Sequence, residues 1–191
     1  MLHYNVSNTF LNGELMDNGF ITKELGENHP YPEELFEIAM KFTIAFYYSE
    51  KHFFSRFCSI RNSDQYSNNI LDIVKDDCSP AISDAFEYFK RRYVSGDRAR
   101  ERLHALTMQE EGEELSGWAE KIDTYLNKAE GNIEAMLSVC LMVVIRLRHN
   151  LLHANKYEVM SGEPKEQAEL IGKGYSLLSS LLSAKNKRKA V

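Results

Sequence analysis

Apolar residues recurring every three and four positions, and nowhere alternating at period two, are what most limit the fold of this 191-residue chain. In "YPEELFEIAMKFTIAFYYSEKHFFSRF", Leu35, Ile38, Ala39, Phe42, Ala45, Phe46, Ser49 and Phe53 fall on one helical face, which predicts a helix over roughly 32–58. Pro32 takes a first-turn position. Glu33 and Glu34 follow it, where carboxylates favour the positive end of the helix dipole. A shorter helix is expected over 66–76, and another where Ser79 acts as cap and Pro80 enters the first turn. The stretch 97–127 is helix-rich, with a break expected near Gly112 to Gly117. Asn132 is placed to cap the next helix, and "GEPKEQAELIGKGYSLLSSLLSAK" forms the last one. The expectation is an all-α bundle of about five to six helices with short loops. Residues 1–30, rich in Asn and Gly, read as an irregular arm, residues 31–184 as one domain, and residues 185–191 as a basic tail.

With 43% hydrophobic content the chain can bury a core of its own. The apolar run Ala135–Ile145 is too short for a membrane span, and "MLHYNVSNTF" lacks the pattern of a signal peptide. Cys58, Cys78 and Cys140 are an odd, widely spaced set, which suits reduced thiols rather than a disulfide framework. A soluble, cytoplasmic protein with no membrane partner is therefore expected. The net charge of −5 argues against a protein that coats nucleic acid. Charge is nonetheless uneven. "KRRYVSGDRARER" (90–102) holds six bases against two acids, and "KNKRK" (185–189) holds four bases. Such clusters meet phosphate on some acidic proteins and are plain solvated surface on others. Glycine-rich phosphate loops, HExxH, GxSxG and zinc-spaced Cys/His sets are absent, so no cofactor and no metal are expected.

What remains is "RLRHNLLHANK", Arg146 to Lys156, at the end of the apolar run. His149 and His153 lie one turn apart on a regular helix, with Arg146 and Asn150 flanking them. Two imidazoles with no third ligand make an incomplete metal site. Basic side chains also suit the last turn of any helix. A site and an ordinary helix end both stand at this point.

"RHNLLHANK" resembles the signature of the HEPN superfamily, helical domains of prokaryotic toxin, antiviral and RNA-processing systems. The family pattern is an arginine, four to six residues, then a histidine, often with a polar residue directly after the arginine. Arg148 and His153 fit, with His149 in the polar position. His149, Leu152 and Ala154 stand where many relatives carry Asn, Phe and Gly. The spacing alone is weak. Arg146 with His153, and Arg98 with His104, match it too, about what chance allows for this composition. Only Arg148 also has the polar follower, the leucines and the trailing lysine. The stretch 132–184 resembles the closing helix pair of the family.

The resemblance implies a metal-independent endoribonuclease. His153 would move protons near neutral pH, and Arg148 would hold the scissile phosphate. The nucleophile would be the RNA's own 2′-hydroxyl, giving a 2′,3′-cyclic phosphate. Lys156 would add a phosphate contact, Asn150 would orient a histidine, and His149 would be a second acid–base group or only shape the helix. Arg146, Lys187, Arg188 and Lys189 are candidate RNA contacts. Such domains typically form homodimers with the 146–156 motif at the interface, and an antitoxin or other protein partner fits the same context. The alternative implied is a catalytically silent module of the same kind that binds RNA or protein. An unrelated helical adaptor is a third reading.

Overall fold

The computed structural model describes Lys23 and residues 32–54, 58–109, 114–115, 117–152 and 163–189. Among them are seven α-helices and no strand: α1 (Glu33–His52), α2 (Ser63–Val74), α3 (Ser79–Lys90), α4 (Ala99–Thr107), α5 (Gly117–Lys128), α6 (Ile133–Leu151) and α7 (Pro164–Lys189). The count exceeds the expected five to six by one; the break expected near Gly112 to Gly117 separates α4 from α5, and Met108, in the left-handed region at φ 64°, ends α4. The 1–30 arm lies outside the described residues apart from Lys23.

The α1 face follows the sequence pattern, with Leu35, Phe42, Ala45, Phe46 and Ser49 buried. Ser49 keeps its hydroxyl satisfied there by donating to the Ala45 carbonyl at 2.8 Å. The helix stops at His52, short of residue 58, and Phe53 closes the last turn onto the Ser49 carbonyl at 2.8 Å. Ser79 is the first residue of α3, not its cap. A 3₁₀ turn over Lys75–Cys78 leads directly into the helix, which leaves Cys78 in the cap position with no side-chain capping bond. Asn132 does cap α6: its side-chain oxygen accepts from the Glu134 and Ala135 amides, each at 3.1 Å. Asn132→Ala is expected to cost about 1 kcal/mol of stability, read as a lowered urea midpoint at unchanged slope.

Helix α6 is the centre of the molecule. Every residue from Met136 to Ile145 is buried, and α2, α3, α4 and α5 pack around it. That explains the uncharged run: a helix enclosed on all sides has no polar face to present. Helix α7 packs chiefly along α1 and meets α6 over a shorter length. The α6–α7 pair is antiparallel, as expected. Val144 lies against Gly174, while Leu151, further along α6, shares a cavity wall with Leu170, nearer the start of α7. A side chain at Gly174 would place its Cβ 2.9 Å from the Phe42 ring, so the close approach of α7 to α1 needs glycine.

Two features lay outside the sequence pattern. Residues Arg91–Ser95 continue α3 as a π-helical turn. Gly96 ends it, where a Cβ would lie 2.6 Å from the Arg91 carbonyl oxygen. The basic segment 185–189 is the last part of α7 and not a separate tail. Lys185 is buried there, and Arg188 pairs with Asp77 at 3.1 Å. Among the described residues, no helix is long and apolar enough to cross a membrane.

Candidate functional site

The polar end of α6 begins where the helix leaves the core. Leu147 is still buried, while Arg146, Arg148, His149 and Asn150 are half-buried and Leu152 is exposed. Their neighbours divide them into two groups.

Arg146 and Asn150, one turn apart, turn toward α4. Arg146 Nε donates to the Leu106 carbonyl at 3.2 Å and Asn150 Nδ2 donates to the same oxygen at 3.1 Å. Leu106 sits in the last turn of α4, whose carbonyls have no partner within the helix. The two side chains therefore cap α4 and fix it to the central helix. Burial holds the Arg146 guanidinium below its ordinary pKa. Both residues thus have structural work, and among the described residues the buried Oδ1 atom of Asn150 has no hydrogen-bond partner.

Arg148 turns the other way, toward α1. Its guanidinium lies 5.4 Å from the centroid of the Phe46 ring, a cation–π contact, and 3.8 Å from Glu50 Oε2. The side chain is 42% exposed. With Thr43, Phe46, Tyr47, Glu50, Leu151 and Leu152 it lines a shallow cleft of about 150 Å³. Tyr47 and Leu152 are large apolar residues exposed in the wall of this cleft; Ile44 and Tyr48 are exposed elsewhere around α1, and the Tyr47 and Tyr48 rings pack edge to face. Cys58 lies close by, its thiol pushed up to about 12 by burial and then by Glu50, with Arg148 opposing. A thiol held protonated is a poor nucleophile. Native protein at pH 8 is expected to leave Cys58 unalkylated by iodoacetamide under conditions that modify it fully in urea, as mass spectrometry of the peptides would show.

His153 and Lys156 lie outside the described residues. His149 is half-buried at the last turn of α6. Lys187 is exposed and Arg188 is paired with Asp77, near the far end of α7. None of the described residues of this basic end lines the Arg148 cleft. Lys189 is the final residue of α7.

The second spacing match comes apart in three dimensions. His104 is 2% exposed within the core, whereas Arg98 is on the surface bound to Glu101 and Glu163. Sequence reasoning noticed the basic stretch 90–102 and missed what answers it. Arg102 Nη2 meets Glu166 at 2.7 Å, and Arg92 Nη1 meets the same carboxylate at 3.5 Å. The partners are more than sixty residues away, and no local pattern announces them. Glu50 and Phe46 were likewise legible only as parts of α1.

No family model, curated protein or solved structure matches this chain.

Proposed function

We propose that this protein is a metal-independent endoribonuclease that cleaves RNA by 2′-hydroxyl attack, with Arg148 and His153 as the catalytic pair and two copies forming the working unit. The resemblance of "RHNLLHANK" to the HEPN signature supplies the chemistry. The observation that carries it to this chain is the placement of Arg148. It is an accessible guanidinium at the end of an otherwise buried helix, braced from behind by an aromatic ring.

Energetics favour phosphate there over the resident carboxylate. A half-exposed pair at 3.8 Å is beyond hydrogen-bond distance and is worth roughly 0–1 kcal/mol. Two parallel charge-assisted bonds from guanidinium to phosphate are each about twice as strong as neutral ones. RNA binding would therefore displace Glu50 at little cost. His153 lies five residues beyond Arg148 in the chain and would exchange protons with the 2′-hydroxyl or the leaving oxygen. The exposed Tyr47 and Leu152 in the wall of the Arg148 cleft are the surface a second copy would cover, which would bring two Arg148 side chains to one two-fold groove.

One observation favours the silent alternative. Arg146 and Asn150 are spent on the Leu106 carbonyl, and a carboxylate faces Arg148, so the polar end of α6 also has a purely structural use. In that case the same cleft binds RNA or a protein partner, an antitoxin among them, without cutting. The deciding experiment is incubation of purified protein with single-stranded RNA in EDTA. Cleavage is expected, because arginine and histidine take the place of a metal. Intact RNA with a folded dimer would leave the binding module.

A further inference from the structure

A cavity of about 410 Å³ lies on the other side of α6 from the Arg148 cleft, between the π-helical turn, α4, the end of α6 and the start of α7. The π-turn and α4 bring guanidinium groups to it, Arg92 and Arg102, with Arg98 just before α4. Helices α6 and α7 bring Leu147, Leu151 and Leu170.

Charge within this cavity is unevenly matched. Arg92 is only 9% exposed, and among the described residues its carboxylate partner is Glu166, at the outer limit of 3.5 Å. That same oxygen already takes the 2.7 Å bond from Arg102. Two guanidinium groups thus share one carboxylate at the buried end. Arg102 Nη1 also donates to the Asp97 carbonyl at 3.1 Å, but among the described residues the Nε atoms of both arginines are buried with no hydrogen-bond partner. At the exposed end Arg98 makes direct ion pairs with Glu101 and Glu163, and Arg98 and then Arg102 keep both carboxyls below their usual pKa. A buried cation is costly unless fully paired and hydrogen-bonded. The weakly paired cation is Arg92, nine-tenths buried and 3.5 Å from its carboxylate, and it stands beside an open volume. Asn150 lines the same cavity, with its Oδ1 enclosed behind the surface.

We propose that this cavity is a binding site for a small organic oxyanion, a carboxylate or phosphate head on an apolar body. The head meets Arg92 and Arg102, and the body lies on Leu147, Leu151 and Leu170. Binding here is separate from RNA cleavage, since Arg148 faces α1 and does not line this cavity.

The test is a titration of the full chain, followed by amide chemical shifts, at constant ionic strength. The probes are benzoate, phenyl phosphate, inorganic phosphate and the neutral benzamide. Benzoate, phenyl phosphate or both are expected to bind saturably at one site per chain, shifting amides in 91–106 and 147–151. The stronger of the two identifies the head group. Inorganic phosphate, lacking the body, is expected to bind at least about tenfold more weakly, and benzamide not at all. Arg102→Gln is expected to weaken binding by about tenfold or more. Ala105→Phe, on the cavity wall, should abolish it with the fold kept, because it fills the volume while leaving both guanidinium groups in place. Three results would each overturn the proposal: no saturable binding of benzoate or phenyl phosphate, an equal response to benzamide, or affinity unchanged in both variants.

Discussion

His153→Ala is expected to lower cleavage of single-stranded RNA by about a hundredfold or more, as for loss of a general acid–base group. Arg148→Ala should fall just as steeply, because the guanidinium both holds the phosphate and stabilises its transition state. Glu50→Gln gives the sharper result. It removes the carboxylate that faces Arg148 at 3.8 Å and keeps the side-chain shape, so activity is expected to hold or rise. If Glu50 were itself catalytic, that variant would be inactive. Arg98→Ala should stay near wild type. His104→Ala is a poor control, since the buried His104 ring supports the fold. Initial rates on one labelled RNA in EDTA, with circular dichroism to confirm folding, check all of these.

Phe42→Ala is expected to have the largest effect on stability, about 3–5 kcal/mol. Its ring is wholly buried, stands 6.1 Å from the Phe46 ring, and fills the space that Gly174 leaves open between α1 and α7. Few other contacts would compensate, because α7 rests mainly on α1. Against a total stability of about 5–15 kcal/mol, that loss is large, and urea unfolding measures it directly. Phe46 is the next ring along and the floor under Arg148. Cleavage by folded Phe42→Ala protein should therefore fall as well, though far less than in Arg148→Ala.

The helices were legible because their cause is local. The α1 face, the proline at its start, the Asn132 cap and the uncharged α6 run all follow from period and capping chemistry within a few residues. Boundaries were less so. Ser79 looks like a cap by residue type, yet the 3₁₀ turn before it moves the start of the helix. The polar end of α6 was visible as a cluster, but not its division. Whether Arg146 or Arg148 stays accessible depends on what each meets across space. For Arg146 that is a backbone carbonyl at the end of α4, an acceptor that no residue identity reveals. For Arg148 it is Phe46 and Glu50, which serve α1 in sequence. The pairing of Arg92 and Arg102 with Glu166 was hidden for the same reason, since the two segments join only through the packing of α7.

The most direct measurement is a single 2′-deoxy substitution at a mapped cut site, combined with analysis of the product ends. Cleavage by Arg148 and His153 through the 2′-hydroxyl predicts that the deoxy substrate survives intact, while the all-ribo RNA yields a 2′,3′-cyclic phosphate and a 5′-hydroxyl. Cutting of the deoxy-substituted RNA at the same position, or products that carry a 5′-phosphate, would contradict it.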